Sequence, residues 1–159
     1  MADESLLLLI KEVRGKTLRM LDGLGEEEAR FSPPGLNNSM LWHAGHALIV
    51  NEHLGLSSAE GRAPAFPEGW FDKFSWKSQP ATITDWPAVA DVAARLREQL
   101  ERLAAAVQNL SDEQLAKVID PGRNRTLRYA ILHGLHDEAQ HQGEMWLLKK
   151  LYAKRLGVH

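Results

Sequence analysis

The stretch Leu132 to Gly143, LHGLHDEAQHQG, constrains this chain more than any other. It sets His133, Asp137 and His141 four residues apart. Each residue of a helix turns by about 100°, so positions i, i+4 and i+8 spread over only about 80°. The three side chains then project from one face. Glu144 falls in the same stripe, Gln140 sits at its edge, and Ala130, Leu148 and Leu151 bracket it with apolar surface. Imidazoles and carboxylates on a core-facing stripe are costly to bury unless something pairs with them. A metal ion is an effective partner.

Helical periodicity runs through the rest of the chain. Leu6, Ile10, Val13, Thr17, Leu21 and Leu24 repeat at three- and four-residue steps, and Gly25 with Pro33-Pro34-Gly35 closes that segment. Asn38 or Ser39 is placed to cap a second helix running to about Leu54, which carries His43, His46 and His53. From Ser57 to Trp86 the pattern breaks. Gly61, Pro64, Pro67 and Gly69 alternate there with Phe66, Trp70, Phe71, Phe74 and Trp76, which predicts a long, irregular but ordered connection. Thr84 or Asp85 is expected to cap a third helix with Pro87 in its first turn. Its stripe is Val89, Ala93, Leu96, Leu100, Leu103, Val107 and Leu110. Ser111 and Gln114 have capping-box spacing, and Pro121-Gly122 turns the chain into a last helix from about Thr126 to Leu156. The reading is a single all-α domain over residues 1–159. It is a four-helix bundle with a long crossover between the second and third helices, and no convincing strand.

Composition narrows the chemistry. The chain has 159 residues, one domain's worth, and 44% of them are hydrophobic, enough for a core. Lys and Arg number 19 against 21 Asp and Glu, with no basic run to mark a nucleic-acid surface. The apolar run Leu6 to Ile10 is far too short to span a membrane, and it follows Asp3 and Glu4 instead of a basic leader. A cytoplasmic protein is expected. With no Cys there is no disulfide, no Cys nucleophile and no thiolate ligand, so a metal must use His, Asp, Glu or water.

Six of the seven His residues lie in two clusters. On the fourth helix, Asp137 and His141 form an i, i+4 pair that sets two ligand heads on adjacent turns. A third ligand must come from the second helix, and His46 is the choice. Three protein ligands and an open position suit a catalytic divalent ion. Without thiolates that ion is zinc first, with nickel or manganese as alternatives. His136 and His141 are five apart and point about 140° from each other, so this is not the HExxH of zinc proteases.

These segments resemble the DinB/YfiT-like superfamily of bacterial four-helix metalloproteins. Pro33-Pro34 through Trp42-His-Ala-Gly-His46 looks like the family's segment with Trp four residues before the first ligand His. Phe74-Ser-Trp-Lys-Ser78 with Pro80 looks like its aromatic crossover. Asp137-Glu-Ala-Gln-His141-Gln-Gly143-Glu144 is similar to its final motif, usually His-x3-His-x-Gly-Gln. The departure is Asp137, where most members have His. Relatives resembling mycothiol-dependent maleylpyruvate isomerase have an acidic residue there and bind zinc. If Asp137 does not reach, His133 one turn away or a bridging water takes its place.

The resemblance implies His46, Asp137 and His141 as metal ligands, and His43 as a helix-surface residue or a support behind them. His53 is expected on the cavity wall or in the core. Glu144 is expected to orient a ligand imidazole, act as base, or pair with an Arg of another helix. Gly143 is expected to let two helices approach closely, and Trp42, Trp70, Trp76 and Trp146 to be core or cavity wall. It further implies a transferase that uses a low-molecular-weight thiol on a small-molecule electrophile, the metal lowering the thiol pKa. The alternatives are a metal-dependent hydrolase with Glu144 or His133 as base, or a non-enzymatic stress-induced metal-binding bundle. A homodimer is reasonable, with the leucine-rich first helix and the Trp-rich crossover as candidate surfaces.

Overall fold

The structure is a computed structural model that describes residues 3–157. Helix α1 spans Glu4–Leu21, and Asp3 caps it by accepting from the Leu6 N–H at 3.0 Å. A short α2, Glu26–Arg30, precedes α3, Met40–Asn51, which Ser39 caps through the Trp42 N–H. Beyond Asn51 the helix widens into a π turn, Glu52–Leu56, and ends in α4, Ser57–Ala59. The helical segment thus runs about one turn past the expected end at Leu54. π turns of this kind re-aim side chains and concentrate at functional sites.

The crossover carries α5, Trp70–Phe74, and a 3₁₀ turn, Pro80–Thr82. Helix α6 spans Val89–Gln108, so neither Thr84 nor Asp85 caps it and Pro87 lies outside it. Pro87 disfavours helical backbone at Trp86. The free Val89 N–H is met instead by the Glu26 carboxylate at 2.8 Å, while Asp85 pairs with Lys73. Helix α7, Asp112–Leu115, has the full capping box of Ser111 and Gln114. A small antiparallel hairpin follows, β1 Val118–Asp120 and β2 Arg125–Thr126, where no strand was expected. Asn124 turns it in the left-handed region at φ 50°. Helix α8, Leu127–Arg155, starts at a Thr126 cap.

The long helices α1, α3, α6 and α8 form the bundle. Helices α1 and α3 each pack on both α6 and α8, so they face each other across the diagonal. One apolar cluster joins Leu6 and Ile10 of α1 to Leu56, to Leu103 and Val107 near the end of α6, and to Leu127 and Ile131 at the start of α8. The other joins Met20 to Met40, Leu41, Ala93, Met145 and Leu148. Helices α1 and α8 therefore run one way and α3 and α6 the other. The long crossover is what carries the chain back to the far end before α6.

Between the two apolar clusters lies a buried polar layer. Arg14 donates to both Glu138 oxygens at 2.8 and 3.0 Å, and to Leu96 O and Gln99 Oε1. Thr17 and Asn51 also donate to Glu138, and Gln99 reaches Leu48 O. This layer ties all the long helices together and sets the rotation of α8. With Glu138 turned into the bundle, Asp137 is turned toward α3.

Candidate metal centre

His46 is held from three sides. Trp42, one turn earlier on α3, stacks on its ring at 4.5 Å between centroids and 14° between planes. The Trp42 indole N–H donates to Ser78 of the crossover at 2.8 Å. The third contact is the Phe74 carbonyl, 2.6 Å from His46 Nδ1. Phe74 comes this close because Gly45 has no side chain: a Cβ there would meet the Phe74 ring at 2.2 Å. A carbonyl only accepts, so His46 carries its proton on Nδ1 and presents the lone pair of Nε2. Burial above all pushes the His46 pKa down, against the upward pull of that carbonyl.

Asp137 and His141 face it from α8. Asp137 Oδ2 lies 3.4 Å from His141 Nε2 and 3.9 Å from His46 Nε2. The edge of a tetrahedron of ligands at 2.0–2.1 Å from a metal is about 3.3 Å, so these separations are close to metal-ligand spacing. Asp137 Oδ2 is buried and accepts no hydrogen bond among the described residues. Burial pushes the Asp137 carboxyl up, but His141 beside it and the charges of His46 and His133 outweigh that and hold it below the usual range.

The protonation of His141 follows from its neighbour. His43 is 2% exposed, and burial, with His141 and His46 nearby, pushes its pKa down to about 3. It is therefore neutral near pH 7 and has one N–H. That proton belongs on Nε2, which faces the Glu144 carboxylate at 3.1 Å. His43 Nδ1 is then an acceptor, and His141 Nδ1, 2.8 Å away, must donate to it. The lone pair of His141 is left on Nε2. Two imidazole lone pairs and a carboxylate oxygen thus converge with no proton between them. Three such acceptors repel unless a cation sits among them, so the residues fit a divalent ion.

His43, His141 and Glu144 form a second cluster of ligand-type atoms. Its 2.8 Å N–N contact is hydrogen-bond spacing, shorter than a ligand–ligand edge, and Glu144 is largely exposed. His43 was legible as an i, i+3 neighbour of His46, yet the sequence did not show that it lies buried behind His141. Glu144 bonds His43 and not an Arg. His133 is outside both clusters and stacks on Tyr129 at 5.7 Å. His53 is exposed on the π turn against the edge of Trp76.

Trp70 is core, but Trp76 and Trp146 are about half exposed, because both point off the bundle. The close-approach role expected for Gly143 is wrong: it is exposed, and a Cβ there would meet nothing within 4 Å. Gly134 has that role, since its Cβ would lie 2.7 Å from Asn51 Oδ1 where α8 crosses α3. Glu138 and its buried network escaped the sequence reading altogether.

No described helix is long and apolar enough to cross a membrane. Comparison with curated proteins returns no match. A solved structure, the crystal structure of the conserved protein of locus from Enterococcus faecalis, is similar at 17% identity with a TM-score of 0.75. The match covers 95% of this chain and 97% of that one, and it shows a shared fold. The model of the DinB superfamily matches residues 9–145, a span that contains His43, His46, Asp137, His141 and Glu144. The chain belongs to the DinB superfamily.

Proposed function

We propose that His46, Asp137 and His141 hold a divalent ion, zinc first among candidates, in an enzyme that transfers a low-molecular-weight thiol to a small electrophile. The observation that carries this reading is the buried, unpartnered Asp137 Oδ2 facing two imidazole lone pairs. A divalent ion there supplies Lewis acidity that favours the deprotonated form of a thiol presented at an open position. The chain has no cysteine, so the sulfur comes from a cosubstrate. Its S–C bond forms as the electrophile's leaving group departs with its electron pair, or as an activated alkene takes up a proton.

The residues around the trio support transfer over hydrolysis. Base-assisted hydrolysis calls for a base beside the nucleophilic water, and Glu144 is bonded to His43 on the far side of the His141 ring. His133 is packed on Tyr129. A thiol whose pKa the metal lowers would need no such base. The roles left to the protein are to fix two imidazole tautomers and to hold Asp137 ionised.

Metal content of untagged protein tests the centre. One equivalent of metal in the wild type, lost in His46→Ala, Asp137→Ala and His141→Ala, supports it. No bound metal and no uptake on reconstitution removes the enzyme reading and leaves a non-enzymatic bundle. Loaded protein is then assayed for thiol consumption with epoxides, haloalkanes and activated alkenes, against ester and amide hydrolysis. Hydrolysis without thiol dependence overturns the transfer reading.

A further inference from the structure

We infer that a cleft beside the centre binds the carboxylate of the substrate, so that the electrophile is a small carboxylate-bearing molecule. The role as a substrate pocket rests on the metal-centre reading; the anion site itself does not. The cleft has a volume of about 240 Å³ and lies between the π turn, the β1–β2 hairpin and the start of α8. That is room for roughly eight waters at about 30 Å³ each, a compact metabolite in size. His53, Ser58, Arg123, Arg125, Tyr129 and His133 line it.

Its polar chemistry is that of an anion receptor. Two guanidiniums and two imidazoles face one carboxylate, Asp120, which Arg123 engages only at 3.7 Å. Arg125 makes no ion pair among the described residues and instead lies over the Tyr129 ring, 5.1 Å from its centre. Tyr129 stacks in turn on His133 at 12° between planes. Arg125, whose cross-strand neighbour is Asp120, thus rests on an aromatic ring with its guanidinium outside any ion pair among the described residues, a group suited to bidentate binding of a planar carboxylate. The hydroxyls of Ser58 and Tyr129 add neutral partners.

The cleft lies one turn of α8 from the centre. His133 is one helical turn, about 6 Å along the axis, before Asp137 on the same α8 stripe. His53 sits on the π turn that continues α3 beyond His46. A molecule anchored at Arg125 and lying along α8 would span about two turns, on the order of 10 Å, to reach the ligand trio. Its charged end would be held while its reactive carbon meets the thiol.

The test is an NMR titration of full-length, chelator-treated protein with succinate, and in parallel with inorganic phosphate. Removing metal separates the two readings: the metal analysis above tests the centre, and succinate binding to metal-free protein tests the cleft. Saturable shifts of the His53, Tyr129 and His133 resonances are expected. Affinity should fall at least 10-fold in Arg125→Gln, fall less in Arg123→Gln, and stay unchanged in Arg19→Gln on the far face of α1. Absence of saturable shifts at these residues would overturn the site, as would undiminished affinity in both cleft variants, each checked for a native spectrum. Tighter binding of phosphate than of succinate would overturn the carboxylate assignment.

Discussion

His43 Nδ1 lies 2.8 Å from His141 Nδ1, a bond between two imidazoles that decides which nitrogen of His141 is free to face Asp137. Because Glu144 accepts from the one N–H of neutral His43, a carboxylate on the surface fixes the tautomer of an imidazole in the interior. Partners of this kind raise ligand basicity and set ring orientation.

His43→Phe keeps the ring volume and removes the acceptor. Metal affinity, measured by competition with a chelating dye, is expected to fall about 10- to 100-fold. Glu144→Gln, which still accepts, should lose less. Unchanged affinity in His43→Phe would show that His141 needs no such support.

Gly45→Ala places a methyl 2.2 Å from the Phe74 ring and must displace either α5 or α3. Overpacking of this severity costs about 1–3 kcal/mol or more, and it should weaken metal binding too because the Phe74 carbonyl holds His46. Gly143→Ala should instead stabilise by up to about 1 kcal/mol, since the site is exposed and helical and alanine is the better helix former. Urea denaturation of both variants checks the contrast. Equal behaviour would mean that the Gly45–Phe74 contact is not the tight one.

Glu138→Ala leaves the Arg14 guanidinium buried without its carboxylate and should cost about 3–5 kcal/mol of folding stability. Its chain neighbour behaves differently. Asp137→Asn removes a half-buried charge that the fold favours, so metal-free stability should fall by much less than in Glu138→Ala while metal binding is lost. Parallel melts and metal titrations of the two variants separate the structural carboxylate from the ligand.

Acid should unfold the metal-free protein early. His43 has its pKa depressed from 6.5 to about 3, and His46 is depressed as well. Between those values the unfolded chain binds protons that the folded chain refuses. Stability is therefore complete above about pH 6.5 and falls as the pH drops below it. His43 alone gives a slope near 1.4 kcal/mol per pH unit, so about 2 kcal/mol is lost by pH 5. Thermal melts across this range should show the decline, and His43→Phe should flatten it. A wild-type stability that is level from pH 7 to 5 would contradict the buried, neutral His43.

Local patterns on single helices were legible from the sequence. The apolar stripes of α1 and α6, the Ser39 and Ser111 caps and the shared face of Asp137 and His141 all follow from the 3.6-residue period and short-range hydrogen bonding. The long crossover was legible too, because its glycines, prolines and aromatics carry no period. The true start of α6 was not, because the group that meets the Val89 N–H belongs to Glu26, 63 residues away.

What only the tertiary structure decided is which residues from different helices meet. That Asp137 and not His133 joins His46 depends on the rotation of α8, and that rotation is set by Glu138, whose partners lie on α1 and α3. That His43 supports His141 depends on the close α3–α8 crossing that Gly134 permits. Helical periodicity tells which face of a helix is buried. It is silent on what that face is buried against, because those contacts join residues 87 to 124 positions apart along the chain.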